Sequence, residues 1–149
     1  MRHAHGFSGI SKAALSVAAA LLLTFCTSSP RNSDSPLKAG FDREFELRSG
    51  ERAQIDQDEF TIEFVRLLHD SRCPSDVTCI QEGNAEIEVA VRREDMPGQT
   101  FILSTSRQGR QEQRFDVYTI RLVQLVPYPR TDLPTRETDY GATLLVTRG

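Results

Sequence analysis

The sequence predicts an all-β protein, a two-layer antiparallel β-sandwich of about seven strands, with an open barrel as the alternative. Three observations carry that expectation. From Phe41 onward apolar residues recur with period two. Clusters rich in Gly, Pro, Ser and Asp interrupt the alternation at short intervals. No segment holds a 3.6-residue period over the length of an ordinary helix. Regularly spaced short strands of this kind favour a sandwich over other all-β designs.

Each element follows from its own residues. EFELRSGE, Glu44 to Glu51, is a strand ending in a Ser-Gly turn, and ERAQIDQDE after it puts Ala53 and Ile55 on one face. FTIEFVRLL aligns Phe60, Ile62 and Phe64 on one side, with Val65 and Leu67 on the other. AEIEVAVRR is the clearest strand, Ile87, Val89 and Val91 alternating with Glu86 and Glu88. EDMPGQ then predicts a tight turn at Pro97-Gly98 into TFILST. RQGRQEQ reads as a polar loop. In DVYTIRLVQLVPYP one face takes Val117, Thr119, Arg121, Val123 and Leu125 and the other Tyr118, Ile120, Leu122 and Val126. Pro127 and Pro129 end that strand, because proline cannot donate to a ladder. After the loop TDLPTRETDYG, ATLLVTR is the last strand.

The residues ahead of this pattern read as an export signal. Arg2 and Lys12 precede thirteen uncharged, mostly apolar residues from Ala13 to Phe25, a positive n-region and an h-region. The run is short of the ~20 apolar residues that span a bilayer. Leu23-Thr24-Phe25-Cys26 resembles the lipobox of bacterial lipoproteins, which implies lipidation at Cys26. Ordinary cleavage near Thr27-Ser28-Ser29 is the alternative. The resemblance also implies the outer membrane, since Thr27 stands where aspartate signals inner-membrane retention in enterobacteria. The resulting division is 1–25 signal peptide, 26–39 flexible tether with almost nothing apolar to bury, and 40–149 a single domain.

Those 110 residues suit one core, not two. Without the leader, 16 basic residues face 21 acidic ones. A mildly acidic chain with no clustered basic face offers nothing for nucleic acid to bind. Of three cysteines, Cys26 is either lipidated or removed with the leader, so Cys73 and Cys79 remain as an even pair, expected to be bonded in an oxidising compartment.

The segment HDSRCPSDVTCIQEGNAEIEV, His69 to Val89, concentrates the candidate chemistry. Cys73, Cys79 and His69 are three soft ligands that copper could use, but a short exported pair is more commonly a disulfide loop. C-x5-C is not the C-x-x-C of thiol exchange. His69 is the only histidine after the leader, and no G-x-S-x-G elbow accompanies it. Asp70, Asp76 and Glu82 lack EF-hand spacing. Arg107, Arg110 and Arg114 make a local positive excess, suited to an anionic lipid or glycan but also to a solvated loop tip. Tyr128, between prolines, suits a recognition edge or a stiff strand exit.

DSRCPSDVTC, then EGNAEIEV, a long strand ending in VPYP, and a terminal Y-x-A-T-L-x-V from Tyr140 to Val146 resemble a family of uncharacterised small bacterial exported proteins and lipoproteins. The resemblance covers most of residues 44 to 147 and implies no activity. Gln81 stands where members usually carry tryptophan, two residues after the second cysteine. The motif's residues themselves read as architecture: Asp70 and Ser71 as acceptors in a turn, Pro74 fixing φ, and Gly83-Asn84 tolerating positive φ. Arg72 is either a binding group or half of an ion pair that fixes the loop. The expectation is a non-catalytic, lipid-anchored envelope domain without cofactor, binding a protein or glycan component through residues such as Arg72, His69, Asp70 and Tyr128. The alternatives are a periplasmic copper protein or an enzyme centred on His69 and Arg72.

Overall fold

A computed structural model of the protein describes residues 35–56 and 60–149. The chain forms nine strands: β1 (Leu37–Ala39), β2 (Glu44–Arg48), β3 (Arg52–Ile55), β4 (Phe60–Asp70), β5 (Ala85–Arg93), β6 (Met96–Ser104), β7 (Glu112–Phe115), β8 (Tyr118–Val126) and β9 (Gly141–Arg148). They build two sheets, ordered β1-β3-β4-β5-β6 and β2-β9-β8-β7. The two sheets are separate and do not join into a closed ring, consistent with the sandwich expected. A 3₁₀ turn at Glu137–Asp139 is the only helical element among the described residues.

The inward positions of both sheets make one core. Leu47, Ile62, Phe64, Ile87, Val89, Leu103, Ile120, Leu144 and Val146 are fully buried, and apolar area removed from water at this density is the main favourable term in folding. One end of the sandwich is aromatic. Phe60 lies 4.8 Å from Tyr118 and 5.5 Å from Phe115, and Phe41 stacks on Tyr118 at 5.1 Å. Arg148 covers that pair, its guanidinium 5.0 Å from the Phe41 ring centre.

Several expectations are corrected. The strands number nine, against the seven or so expected, and two of them lie where no strand was expected. β1 falls inside the segment read as a tether and pairs parallel with β3, Leu37 opposite Ala53. Its side chains bury little, so its place comes from backbone ladder bonds, to which apolar patterning is blind. The leader and Cys26 lie outside the described residues. β7 lies in the stretch read as a polar loop, and only Phe115, 1% exposed, gives it an apolar anchor. The turn between β5 and β6 is Glu94-Asp95, with Arg93 opposite Met96, so Pro97 and Gly98 belong to β6. An edge strand tolerates proline because its missing N–H can face solvent.

Three bulges change the period-two reading. On β8, Leu122 pairs with Leu144 but Gln124 with Thr143. The extra residue, Val123, reverses the alternation, so Leu125 is 1% exposed on the same face as Ile120. β4 reverses twice. Phe64 opposes Val89 and Arg66 opposes Glu88, with Val65 extra; Leu67 opposes Ile87 and His69 opposes Glu86, with Leu68 extra. Leu67 is thereby turned onto the core. At the strand's last position Asp70 sits opposite buried Ala85, while His69 is exposed.

Candidate functional site

Asp70, brought inward by the second bulge of β4, meets Arg72 two residues later. Arg72 is 6% exposed, and it grips the carboxylate with one edge of its guanidinium: Nε donates to Oδ1 at 2.9 Å and Nη2 to Oδ2 at 2.7 Å. The Arg72 backbone N–H adds a bond to Oδ1 at 3.1 Å, and the Tyr140 hydroxyl donates to Oδ2 at 3.0 Å. The guanidinium also crosses to the other sheet, Nη1 donating to the Leu125 carbonyl at 2.5 Å and Nη2 to the Pro127 carbonyl at 2.7 Å. Its plane lies 4.5 Å from the Tyr128 ring centre. One side chain thus ties the end of β4 to the end of β8 and to the segment leading into β9. A planar five-donor fork can reach all of these groups, where a lysine ammonium cannot.

Burial pushes the Asp70 carboxyl up, but the hydrogen bonds from Arg72, the charge of Arg72 and the Tyr140 hydroxyl together outweigh it and hold Asp70 below the usual carboxylate range. Tyr140 moves the other way. Burial, then its bond to Asp70 and that residue's charge, push its hydroxyl above the ordinary tyrosine value, so it stays a donor.

Beyond Arg72 the chain forms a loop closed by the Cys73–Cys79 disulfide, with 5.9 Å between the Cα atoms. The arms of the loop pair through Ser71 N–H to the Asn84 carbonyl and Cys73 N–H to the Glu82 carbonyl, both at 2.8 Å. Gly83 closes that pairing at φ +65°, and a Cβ there would stand 1.8 Å from the Ser71 carbonyl oxygen. The loop is docked on the strap that follows β8. Ser75 N–H donates to the Pro129 carbonyl at 2.9 Å, and Asp76 accepts from the hydroxyl and the backbone N–H of Thr131. Those two bonds hold the Asp76 carboxyl below its usual value.

Beside the clasp lies an open cleft of about 980 Å³. Its walls are the returning arm of the disulfide loop, with Gln81, Glu82 and Asn84, and the β6–β7 loop, with Thr105, Arg107, Gln108 and Gln111; Tyr128 stands on its rim. The β6–β7 wall is internally bonded. Ser104 N–H donates to the Arg110 carbonyl at 2.8 Å, Gln111 Nε2 to the Thr105 carbonyl at 3.1 Å, and Ser104 Oγ accepts from Ser106 N–H at 3.2 Å. Asn84 Nδ2 reaches Ser104 Oγ at 3.3 Å and joins the two walls.

The candidate residues therefore separate. Asp70 and Arg72 are together, buried and mutually satisfied, with Tyr128 against them. His69 is exposed on β4 opposite Glu86 and contributes to neither the clasp nor the cleft. The copper reading is corrected, because both sulfurs it needs are in the disulfide. Asp70, Asp76 and Glu82 are engaged separately, by Arg72, by Thr131 and at the cleft. Of the arginine-rich loop, Arg107 lines the cleft while Arg110 donates to Gln113 at 3.4 Å. Gln81 is exposed on the cleft wall.

Sequence reasoning missed Tyr140 as a partner of Asp70, and it missed the carbonyls of Leu125 and Pro127. Tyr140 carries a signal, an aromatic with a polar tip just ahead of a core strand. Carbonyls carry none. No protein-family model matches the chain, and neither a curated protein nor a solved structure shows significant similarity to it. No helix among the described residues is long and apolar enough to cross a membrane.

Proposed function

We propose that the protein is a non-catalytic binding domain of the bacterial cell envelope, exported and held there through Cys26, that meets its partner at the clasped end of the sandwich. The observation that supports this reading is the internal saturation of Asp70 and Arg72. A buried pair whose donors are taken up by a carboxylate, two carbonyls and a tyrosine ring is a frame, not a reactive group. What the frame holds in place is the cleft and the exposed Tyr128. The leader, the lipobox-like Leu23-Thr24-Phe25-Cys26 and the disulfide agree on an oxidising, extracytoplasmic compartment.

Two measurements test this. Metabolic labelling with a palmitate analogue should mark the wild-type protein and not Cys26→Ser; an unlabelled mature wild type rules out the anchor. A photo-crosslinking residue at Gln81 should yield adducts with envelope material in intact cells. The same residue at Glu94, at the opposite end of the sandwich, should not. Equal yields at both positions, or none at Gln81, overturn the binding-end assignment.

A further inference from the structure

We infer that the cleft between the disulfide loop and the β6–β7 loop is a saccharide site, taking a neutral oligosaccharide segment with one sugar ring against Tyr128. The inference rests on the binding-domain reading above and names its ligand.

The chemistry of the walls selects the ligand class. Amide and hydroxyl side chains dominate them: Gln81, Asn84, Thr105, Ser106, Gln108 and Gln111. The one acid, Glu82, is balanced by the one base, Arg107. A lining of that kind has too little net charge to select an anion or a cation, and too little apolar surface to hold a lipid chain. It has what a polyol needs, which is paired donors and acceptors able to bridge neighbouring hydroxyls. The volume, about 980 Å³, is at the upper end of the roughly 300–1,000 Å³ typical of small-ligand sites. That leaves room for an oligosaccharide segment.

Tyr128 supplies what amides cannot. Sugar rings present an apolar C–H face beside their hydroxyls, and an aromatic plate with a polar tip matches both. Tyr128 is 54% exposed, yet it is braced. Arg72 covers the ring at 4.5 Å, and the carbonyls on either side of it are tied down, Pro127 to Arg72 and Pro129 to Ser75. An exposed aromatic fixed in this way lies ready for a ligand without the ordering cost of a free side chain. The cleft walls are similarly fixed by the Asn84–Ser104 bond and by the bonds within the β6–β7 loop. These polar walls and the braced plate converge at one end of the molecule.

The test is a titration of the full exported protein, followed by backbone NMR, with a neutral N-acetylhexosamine trimer, a neutral hexose trimer and an oligouronate of equal length. A neutral trimer should bind saturably at concentrations up to about 10 mM, shifting the amides of residues 81–84, 105–111 and 128. Tyr128→Ala should weaken binding about tenfold, roughly 1.4 kcal/mol, and Tyr128→Phe should retain most of it. Gln108→Ala, at an exposed position outside the clasp, should weaken binding with thermal stability unchanged. The inference is overturned if neither neutral trimer binds, if the oligouronate binds better, or if the shifted amides lie elsewhere. Failure here is distinguishable from failure of the broader reading. Crosslinks from Gln81 to an envelope protein without saccharide binding leave a binding domain and remove its sugar; loss of both removes both.

Discussion

Asp70 and Arg72 hold each other in a region where neither would be stable alone. Arg72 and Asp70 side chains are only 5% and 6% exposed, and stripping the partner from a buried charge typically costs about 3–5 kcal/mol. Asp70→Ala is therefore expected to lower unfolding free energy by about that amount, read from urea midpoints; a change below ~1 kcal/mol would mean that water reaches the guanidinium. The clasp also gives stability a pH dependence with a defined sign. Because the folded Asp70 binds its proton less tightly than the unfolded chain, its contribution is fully present above the unfolded carboxylate value of about 3.9. It shrinks as pH falls below that value and is gone once pH falls through the folded pKa. Asp70→Asn should thus be less stable than wild type near neutral pH and show a shallower decline below about pH 4. Parallel acid limbs for the two proteins would place the acid sensitivity elsewhere.

Asp70 reaches Arg72 because β4 carries two bulges, and the second one decides which of two adjacent polar residues faces inward. Were Leu68 paired with Glu86 and not bulged out, His69 would take the inward position opposite Ala85, and the Asp70 carboxylate would fall one position further on, turned to solvent. Deleting Leu68 takes out the extra residue and leaves His69 opposite Glu86 and Asp70 opposite Ala85, so the shortened strand should keep the clasp. The expected signature is a stability loss well below that of Asp70→Ala, with amide protection kept for residues 70–84 and 125–129 and in β5. Protection lost at residues 70–84 and 125–129 would show that the clasp depends on the bulge itself and not only on the register. The same feature explains what was legible in the sequence. Alternation read β5 correctly because Ile87, Val89 and Val91 run without interruption. It misassigned Leu67 and Leu125, since an extra residue reverses the phase and leaves no compositional mark. β1 escaped notice for a different reason: it is held by ladder bonds to β3, and its side chains bury little. For the site, the C-x5-C spacing and the Arg72–acid pairing could be read from neighbouring residues. The cleft could not, because its two walls, near Gln81 and near Gln108, meet only once β5 and β6 pair.

At the level of the whole molecule, the core and the clasped end are separate structures. The core cluster of 21 buried residues contains none between Ser71 and Asn84. The disulfide loop is attached at several independent points: the Arg72 bonds to Leu125 and Pro127, Cys73 to Glu82, Ser75 to Pro129 and Asp76 to Thr131. Closing a seven-residue loop contributes about 2.4 kcal/mol on the chain-entropy account, less than the clasp is expected to contribute. A Cys73→Ser, Cys79→Ser double variant should accordingly fold, with the strands of both sheets as protected as in wild type and a stability loss no larger than about 2.4 kcal/mol. Faster exchange should be confined to residues 73–84 and the strap at 127–131. Because that strap carries Tyr128 and that loop carries one wall of the cleft, ligand binding should weaken more than the fold does. Hydrogen exchange on the reduced or substituted protein measures both at once: loss of protection across β4, β5 and β8 would mean that the clasp cannot hold the sandwich end without the disulfide. Protection retained there, with loosening limited to the loop and strap, separates the framework that folds the chain from the surface that it presents.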